Sequence, residues 1–379
     1  MKIFIVTERR ADFSRFRPIL KLIKKENKIN YQLVVTGLHL VKKYGYTINE
    51  IKKDKIKIHN KFVMFNKKYF HHNDGAAMSD AMGIAFRNLS KILKKSKPDL
   101  ILSGFDIAAN FALTVCGAHM NIPVAHIQGG EVSGTIDESI RHGMSKFSNI
   151  HFTANKETEN RLIKMGEIKK NIFVVGCPSI DALKSEKQIT QKKIFAKFKL
   201  DLTKPYSIVI QHSVTSEIYS AQKQMKQTIL ALKKFDMQHL IIFPNNDAGS
   251  DKIIKMIKKS NLNCVPSLNL TEYKTLLANC EILIGNSSSG VHEAATFKIP
   301  VVNIGTRQNG RTKPKNVLNV DHNPVEIIKA IKLGLSNRFK KKIKNIKNPY
   351  GDGNSATKIV KIIKSLNLKK FNTQKKITY

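Results

Sequence analysis

The stretch ILIGNSSSGVHE, residues 282–293, passes from an apolar run of strand length through a cluster of serines into a helical pattern. Small residues at the start of a helix leave its first backbone N–H groups free to bind an anion, and serine hydroxyls add further donors. Glu293, one turn further on, can accept hydrogen bonds from both hydroxyls of a ribose. The strand, the serines and the glutamate together favour a nucleotide diphosphate, although the G-x-x-x-x-G-K-S/T pattern of a P-loop is missing.

A strand followed by a helical pattern recurs along nearly the whole chain, and this alternation predicts the fold class. The predicted strands are residues 2–7, 31–37, 62–66, 100–104, 124–128, 150–154 and 172–176, followed by 207–211, 240–244, 263–265, 282–285, 301–305 and 317–321. Strands separated by helices form parallel βαβ units with right-handed crossovers, and such sheets bind ligands at the carboxyl ends of their strands. We predict an α/β protein of two Rossmann-like domains facing a cleft.

The alternation is interrupted once, between residues 178 and 205, by a charged, lysine-containing stretch. A new strand begins near Tyr206, so a domain boundary is predicted here. We expect a first domain at residues 1–180, which carries the catalytic acids, and a second, nucleotide-binding domain at residues 181–353. Residues 354–379 are predicted to form an amphipathic helix and a tail that pack back on the first domain, because apolar residues recur there at helical spacing.

The composition is strongly basic: 66 lysines and arginines against 28 acidic residues give a formal net charge of +38. A basic chain can indicate a nucleic-acid-binding protein. Here the lysines are dispersed as helix-surface pairs, and no aromatic RNA motif or helix-turn-helix pattern accompanies them. We therefore expect no nucleic-acid partner, but a surface that attracts an anionic nucleotide.

Hydrophobic residues make up 41% of the chain, as in globular proteins, and no apolar run approaches the roughly 18 residues of a membrane helix. The cysteines are scattered without C-x-x-C spacing, and the ligand spacing of a metal site is missing. The chain is thus predicted to be soluble and cytoplasmic, without a membrane partner, a metal or another cofactor.

Polar clusters follow several of the predicted strands, where such folds bind ligands. After the first strand, Arg10 and Ser14 could reach a phosphate or a sugar at the start of a helix. The alternative is a solvated turn capped by Asp12. After the second strand, His39 could equally be a packed loop residue or a ligand. In the second half, His212 lies at a strand end that faces the predicted cleft.

The fourth strand leads into Ser103-Gly104-Phe105-Asp106, and the fifth into QGGEVSG (128–134) and IDESIRH (136–142). Paired glycines let the backbone approach a ligand closely. Asp137 and Arg141 lie one turn apart on the predicted helix, which is compatible with an ordinary helix ion pair. Acidic side chains gathered in one crevice are also what abstraction of a C–H proton and general acid–base catalysis require.

These clusters resemble the hydrolysing UDP-N-acetylglucosamine 2-epimerases, including the epimerase half of the bifunctional enzyme that starts sialic acid synthesis. The similar segments are RADFS (10–14), GEVSGTIDESIRH (130–142), GCPS (176–179), QH (211–212), DAGS (247–250), GNSS (285–288), GTRQ (305–308) and YGDGN (350–354). The resemblance implies a glycosyltransferase-B-like fold, a nucleotide-sugar substrate and a homodimer or homotetramer. It also implies that UDP leaves C1 as the C2 proton is removed, and that water adds to the resulting glycal with inversion, giving N-acetylmannosamine and UDP.

Matched position by position, the resemblance implies two groups of site residues. The nucleotide and its phosphates would be held by Arg10, Ser14, Ser287, Ser288, Glu293 and Arg307. The catalytic positions correspond to Asp106, Asp137 and His212. Phosphate ligands make UDP a better leaving group by neutralising its developing charge. The carboxylates would transfer the C2 proton and orient water, and His212 would donate to the leaving phosphate or help to hold the sugar.

The chain departs from the family's pattern in two places. Gln128 stands where the family usually has a catalytic glutamate, and an amide cannot act as a base, so Glu131 becomes a substitute candidate base and Gln128 a substrate-binding residue. The loop Ile107-Ala108-Ala109 replaces one that usually carries an arginine and a second acid, and an apolar loop suits a deoxy sugar. The alternatives are therefore a hydrolysing 2-epimerase of a UDP- or GDP-2,4-diacetamido-2,4,6-trideoxy sugar of the legionaminic acid pathway, or an inactive member that only binds UDP-sugar.

Overall fold

The structure, a computed structural model, describes residues 1–65, 74–368, 371, 373–376 and 378. It divides into two compact units, the first comprising Met1–Val132, Ile136–Ala182 and Tyr350–Tyr379, the second Ser133–Thr135 and Leu183–Pro349. The sequence placed the main boundaries after residues 180 and 353, whereas the structure places them after Ala182 and Pro349. The buried Tyr350 accounts for the second difference, because its carbonyl accepts a hydrogen bond from Cys177 N (2.7 Å) and so joins the first unit.

The described residues of the first unit form a parallel sheet of seven strands. These are β1 (Lys2–Thr7), β2 (Asn30–Val35), β3 (Asn60–Lys61), β4 (Leu100–Gly104), β5 (Val124–Ile127), β6 (Ile150–Thr153) and β7 (Ile172–Val174). Their order across the sheet is β3-β2-β1-β4-β5-β6-β7. This is the order of a doubly wound Rossmann-like sheet.

The described residues of the second unit repeat this arrangement with six parallel strands. These are β8 (Tyr206–Ile210), β9 (Gln238–Ile242), β10 (Cys264–Val265), β11 (Ile282–Gly285), β12 (Val301–Ile304) and β13 (Val317–Val320). Their order is β10-β9-β8-β11-β12-β13. The predicted α/β class with two Rossmann-like units is therefore confirmed.

Helices cover both faces of the two sheets. They are α1 (Arg10–Ile23), α2 (Ile48–Lys53), α3 (Gly75–Ser96), α4 (Ala108–His119), α5 (Asp137–Phe147), α6 (Lys156–Lys164), α7 (Pro178–Ser185), α8 (Gln191–Phe198), α9 (Ala221–Leu232), α10 (Ser250–Lys259), α11 (Leu270–Asn279), α12 (Ser288–His292), α13 (Pro324–Leu335), α14 (Asn337–Ile343) and α15 (Ser355–Ser365). None of these described helices is long and apolar enough to cross a membrane.

Strand β1 illustrates how the core forms. Successive strand residues point to opposite faces, so Ile3 and Ile5 join a core that includes α1 and α15, while Phe4 and Val6 join one that includes α3 and α4. All four side chains are fully buried. Burial on both faces is what a parallel sheet covered by helices requires.

The predicted strand at residues 62–66 is wrong in its position. The structure places β3 at Asn60–Lys61, paired with the end of β2, and Asn66 lies outside the described residues. Beyond β3 the chain leaves the ladder, and Met64 becomes buried in the core beside α3. An apolar run near a sheet edge can pack its side chains without extending the strand, and sequence periodicity does not distinguish the two.

Candidate functional site

Several candidate site residues follow the strands at which each sheet reverses its order. β1 and β4 are neighbours in the first sheet, as are β8 and β11 in the second. In open α/β sheets, ligands bind outside the carboxyl ends of the strands at this switch point. Arg10 and Asp106 follow β1 and β4 within a few residues, and His212 and Ser287 follow β8 and β11 in the same way.

Two residues with left-handed backbone turn the chain after β4 and β5. Phe105 has φ 63° and Gln128 has φ 62°, a conformation that residues other than glycine adopt at a cost. Contacts of the Phe105 ring offset the cost of its backbone conformation. The ring contacts Phe16 edge-on with 5.0 Å between centroids, and the Arg15 guanidinium lies 5.1 Å from its centre. Backbone strain of this kind clusters at functional sites, and both turns lead into residues that contact Arg141.

The guanidinium of Arg141, on α5, is the centre of the candidate site in the first unit. Its side chain is 2% exposed, pairs with Asp106 Oδ2 at 2.9 Å and donates to the carbonyl of Glu131 at 2.9 Å. Burial alone would lower the pKa of Arg141, but the carboxylates of Asp106, Glu131 and Asp137 raise it above its ordinary value. The three predicted acids are therefore grouped around one buried cation.

Gln128 and Glu131 form a buried pair beside this group. Gln128 Nε2 donates to Glu131 Oε1 at 2.8 Å, and the two residues are 5% and 3% exposed. A carboxylate at position 128 would repel Glu131 at this distance, whereas the amide binds it. The departure from the family pattern at Gln128 thus has a local physical role, which is to hold Glu131.

The helix α5 carries two pairs of an acidic and a basic residue at i,i+4 spacing, Asp137 with Arg141 and Glu138 with His142, and their surroundings differ. Glu138 and His142 form a partly exposed i,i+4 pair at 3.7 Å. Burial lowers the pKa of His142, so its imidazole is neutral at pH 7 and the pair is weak. Arg141 instead is buried and pairs with Asp106 at 2.9 Å, while the charge of Asp137 also raises its pKa, so a surface helix pair does not describe its surroundings.

At the start of α1, the side chains of Arg10 and Ser14 are bonded to other groups of the protein. Arg10 Nη2 pairs with Glu50 Oε1 at 2.8 Å, and the Ser14 hydroxyl donates to the carbonyl of Ala11 at 2.8 Å. Asp12 accepts hydrogen bonds from the N–H groups of Glu8 and Arg9 at 2.9 and 2.8 Å. It caps the helix as the alternative interpretation predicted, but it is buried, and burial raises its pKa to about 6.

His39 is a packed residue, which decides between the two alternatives left open by the sequence. It is fully buried, with Nε2 3.0 Å from Thr7 Oγ1 and Nδ1 2.6 Å from Thr47 Oγ1. The edge of its ring meets Phe13 with 6.0 Å between centroids. Burial, followed by the charge of Arg10, lowers its pKa from 6.5 to about 3.

The buried His39 is expected to make stability fall in mild acid. The unfolded chain binds a proton on this ring below pH 6.5 while the folded protein does not, so the contribution is complete above 6.5 and is lost towards pH 3. Between pH 7 and pH 5 this amounts to about 2 kcal/mol. In urea unfolding, the stability advantage of the wild type over His39→Gln should shrink by that amount at pH 5. An equal advantage at both pH values would contradict the burial of a neutral ring.

In the second unit, Asn286 joins the ends of β8 and β11 and fixes His212. The Asn286 side chain accepts from His212 N at 2.7 Å and donates to His212 O at 2.9 Å. Nδ1 of His212 accepts a hydrogen bond from Asn245 N–H at 3.0 Å. A neutral imidazole that accepts at Nδ1 carries its proton on Nε2, so the backbone sets His212 as a donor through Nε2.

The serine cluster forms the start of the short helix α12. Ser287 is its N-cap, with the side-chain oxygen accepting from Ser289 N at 3.3 Å, and Ser288 is its first residue. Glu293 ends the helix, and its Oε2 accepts from the Ser289 hydroxyl at 2.7 Å. Gly285 before the cluster has φ 123°, and a Cβ there would lie 2.1 Å from the carbonyl oxygen of Ile210, so the close approach of the two strand ends requires glycine.

Arg307 lies on the loop after β12 and reaches the same Asn286. Its Nη1 is 3.3 Å from the carbonyl oxygen of Asn286, which also accepts from Gln308 Nε2 at 2.8 Å. Gln308 is buried and Arg307 is partly exposed. The predicted residues of the second unit are thus brought together in two linked places, His212 with Arg307 around Asn286, and Ser287 and Ser288 with Glu293 along α12.

Three residues of the site were not assigned a role from the sequence. Arg141 was noted only as a member of a helix pair, although a single arginine among several acids in one motif is a signal that could have been used. Asn286 lies inside the serine motif without a distinguishing pattern. Tyr273, on α11, hydrogen-bonds Ser289 through a contact between two helices. Such a tertiary contact has no local sequence signal.

Among the described residues, no group of three or more histidines, cysteines, aspartates or glutamates is placed to hold a metal ion. The cysteines are free thiols, and burial raises the pKa of Cys177 to about 11 and that of Cys280 to about 12. Both thiols are therefore protonated at neutral pH and are poor nucleophiles.

The chain is similar to known proteins along almost its whole length. The model of a family described as UDP-N-acetylglucosamine 2-epimerase matches residues 21–364. The UDP-N,N'-diacetylbacillosamine 2-epimerase (hydrolyzing) of Legionella pneumophila is 34% identical over 371 residues, which cover 97% of this chain and 96% of that protein. The UDP-N-acetylglucosamine 2-epimerase of Neisseria meningitidis serogroup B is 31% identical over 340 residues, which cover 88% of each.

A solved structure shares the fold. The crystal structure of UDP-GlcNAc 2-epimerase from Neisseria meningitidis bound to UDP-GlcNAc superposes with a TM-score of 0.83 and 19% sequence identity, covering 97% of this chain and 100% of that one. The family model spans most of the chain, and the two relatives align over most of both proteins. The chain therefore belongs to the UDP-N-acetylglucosamine 2-epimerase family and is an enzyme that acts on nucleotide sugars.

Proposed function

We propose that this enzyme is a hydrolysing UDP-N-acetylglucosamine 2-epimerase, which converts UDP-N-acetylglucosamine and water to N-acetylmannosamine and UDP. The observation that carries the proposal is the buried Arg141, which binds Asp106 at 2.9 Å. The negative charges of Glu131 and Asp137 also raise the pKa of Arg141. A cation that favours the ionised form of neighbouring carboxylates supplies bases for removal of a C–H proton at neutral pH. The relatives named as 2-epimerases support the same reaction.

The proposed reaction has two stages. A carboxylate removes the C2 proton while the bond from C1 to the UDP oxygen breaks, which leaves a glycal. Water then adds its hydroxyl to C1, and a proton returns to C2 on the opposite face. Asp106 and Asp137 are partly exposed and are the proposed acid and base. Glu131 is held by Gln128 and remains the substitute base of the proposal.

His212 and the phosphate ligands are proposed to help UDP to leave. A donor placed where negative charge develops lowers the barrier, because the charge is stabilised as it forms. The Nε2–H of His212 is such a donor, because Asn245 N–H occupies Nδ1. Arg10 would exchange its partner Glu50 for a phosphate oxygen, and Ser14 is proposed to add a hydroxyl on the next turn of α1.

The nucleotide is proposed to bind mainly through the second unit. Ser287 accepts a hydrogen bond from Ser289 N, which leaves its hydroxyl proton for a phosphate oxygen. Ser288 follows with a second hydroxyl, and Arg307 supplies a charge for the diphosphate. Glu293 is proposed to accept hydrogen bonds from the ribose hydroxyls.

The Arg307→Ala variant is expected to weaken UDP binding roughly tenfold or more, because losing a charge-assisted contact costs about 1.5–3 kcal/mol. The melting temperature should change little, since the Arg307 side chain is partly exposed and lies on a loop. Titration calorimetry with UDP measures the effect. Arg338→Ala, which removes an exposed arginine from α14, is the control and should bind UDP as the wild type does. Unchanged UDP affinity in Arg307→Ala would remove this residue from the site.

UDP-N,N'-diacetylbacillosamine is the second candidate substrate. The relative from Legionella pneumophila named for this sugar is 34% identical over 97% of the chain. In addition, Ile107 and Ala108 directly follow Asp106 and are partly exposed, while Ala109 is buried. An apolar pair beside a catalytic carboxylate suits a sugar with a methyl group at C6 better than one with a hydroxyl there.

Product analysis distinguishes the two substrates. The enzyme is incubated in D2O with UDP-N-acetylglucosamine, with UDP-N,N'-diacetylbacillosamine or with the GDP form of the latter, and the products are identified by NMR. Release of N-acetylmannosamine with deuterium at C2 is the expected result. Turnover of the diacetamido sugar alone would establish the second candidate. Release of no sugar from any of the three nucleotides would refute the proposed reaction.

A further inference from the structure

A continuous hydrogen-bonded chain leads from the body of the second unit to Glu293. Tyr273, on α11, bonds through its hydroxyl to the Ser289 hydroxyl, and Ser289 Oγ is 2.7 Å from Glu293 Oε2. A backbone bond from Glu293 N to Ser289 O at 2.9 Å joins the same two residues. Tyr273 itself packs against the core beneath the second sheet.

The direction of each hydrogen bond follows from the chemistry of the three groups. An ionised carboxylate can only accept, so the single hydroxyl proton of Ser289 is donated to Glu293. The oxygen of Ser289 must then accept from Tyr273, whose phenol is the donor. Burial, followed by the negative charge of Glu293, raises the pKa of Tyr273 well above 10, so the phenol keeps its proton throughout the working pH range.

This chain leaves one oxygen of Glu293 for a ligand. Within the described residues, no hydrogen bond to Oε1 of Glu293 is formed, and the residue is partly exposed. The carboxylate is thus held by one oxygen and open at the other. Without the serine bond, the carboxylate could rotate about its last side-chain torsion, which is broad and has no strong preference of its own.

We propose that Tyr273 and Ser289 are positioning residues that orient the Glu293 carboxylate towards a ribose hydroxyl and thereby set the preference of the enzyme for ribonucleotides over deoxyribonucleotides. Neither residue touches the nucleotide in this proposal: Tyr273 acts through Ser289, and Ser289 acts through Glu293. The inference rests on the proposed function, because it assumes that Glu293 binds the ribose.

Calorimetry with UDP, 2′-deoxy-UDP and 3′-deoxy-UDP tests this role. The wild type should bind UDP about tenfold more tightly than at least one of the deoxy analogues. In Tyr273→Phe and in Ser289→Ala this ratio should fall at least threefold, while the affinity for that analogue stays within a factor of two. Because the two residues act in series, the double variant should lower the ratio no further than Ser289→Ala does.

A second tyrosine provides a matched control. Tyr206 also donates its hydroxyl within this unit, to the carbonyl of Leu276 at 2.6 Å. Tyr206→Phe removes an equivalent buried hydrogen bond and should leave the ratio unchanged. If Tyr273→Phe weakens UDP and the deoxy analogues equally, or weakens neither, the positioning role is refuted.

The Glu293→Gln variant separates this inference from the proposed function. If it abolishes the preference for UDP while Tyr273→Phe and Ser289→Ala retain it, Glu293 binds the ribose and only the positioning chain is wrong. If Glu293→Gln itself leaves the ratio unchanged, the ribose assignment is wrong, and the positioning role is refuted with it.

Discussion

Asp106→Asn and Asp137→Asn are each expected to lower kcat by roughly a hundredfold or more, the range of general acid–base catalysis. An asparagine keeps the shape of the side chain but cannot take a proton from C2 or return one. UDP affinity should stay nearly unchanged, because neither aspartate is assigned to the nucleotide. Release of UDP and incorporation of solvent deuterium at C2 measure the two stages of the reaction separately.

A matched control guards against a general effect of the substitution. Asp201→Asn replaces an exposed aspartate whose side chain accepts hydrogen bonds from the backbone N–H and the hydroxyl of Thr203, and it should retain wild-type kcat. Asp106→Asn also removes the charge that faces Arg141, so its melting temperature is recorded to show that the folded enzyme is being assayed. Turnover like that of the wild type in both Asp→Asn variants would refute the proposed mechanism.

Arg141→Met is expected to lower the free energy of unfolding by about 1.5–3 kcal/mol, because it removes charge-assisted hydrogen bonds of a guanidinium that is 2% exposed. Methionine keeps an apolar stem of similar reach, but Asp106 loses its cation and the carbonyl of Glu131 loses its donor. The measurement is urea unfolding followed by circular dichroism. Arg141→Lys keeps the charge but lacks the planar guanidinium, which can bind two acceptors. Its free energy of unfolding is therefore expected to lie between those of the wild type and Arg141→Met.

The replacement of a cation by methionine in an exposed ion pair serves as the control. Lys364 pairs with Glu26 at 2.6 Å, with side chains 39% and 28% exposed. Lys364→Met should change stability by less than about 1 kcal/mol, since exposed pairs contribute little. If Arg141→Met also lowers the free energy of unfolding by less than about 1 kcal/mol, Arg141 is not the cation that holds the acids together. If Arg141→Met does not fold, the comparison of Arg141→Lys with the wild type still decides the point.

The order of elements was largely predictable from the sequence. Twelve of the predicted strands overlap strands of the structure, because short apolar runs that are bounded by polar turns and separated by helical patterns favour strands buried between helices. The exception, residues 62–66, borders an edge strand of two residues, whose extent depends on pairing with its neighbour. The positions of Asp106, His212 and Ser287 after strands β4, β8 and β11 followed from the same pattern, since ligands of such folds gather at strand ends.

What the sequence by itself determined is therefore the α/β class, the repeated Rossmann-like arrangement and the strand ends that carry the polar residues. These depend on local periodicity, which each segment contains within itself. Only the tertiary structure decided that His39 is packed and neutral, that Arg141 turns inward to Asp106, and that Tyr273 reaches Glu293 through Ser289. Each of these contacts joins residues on different elements, and its geometry and burial exist only once the sheets and helices have packed together.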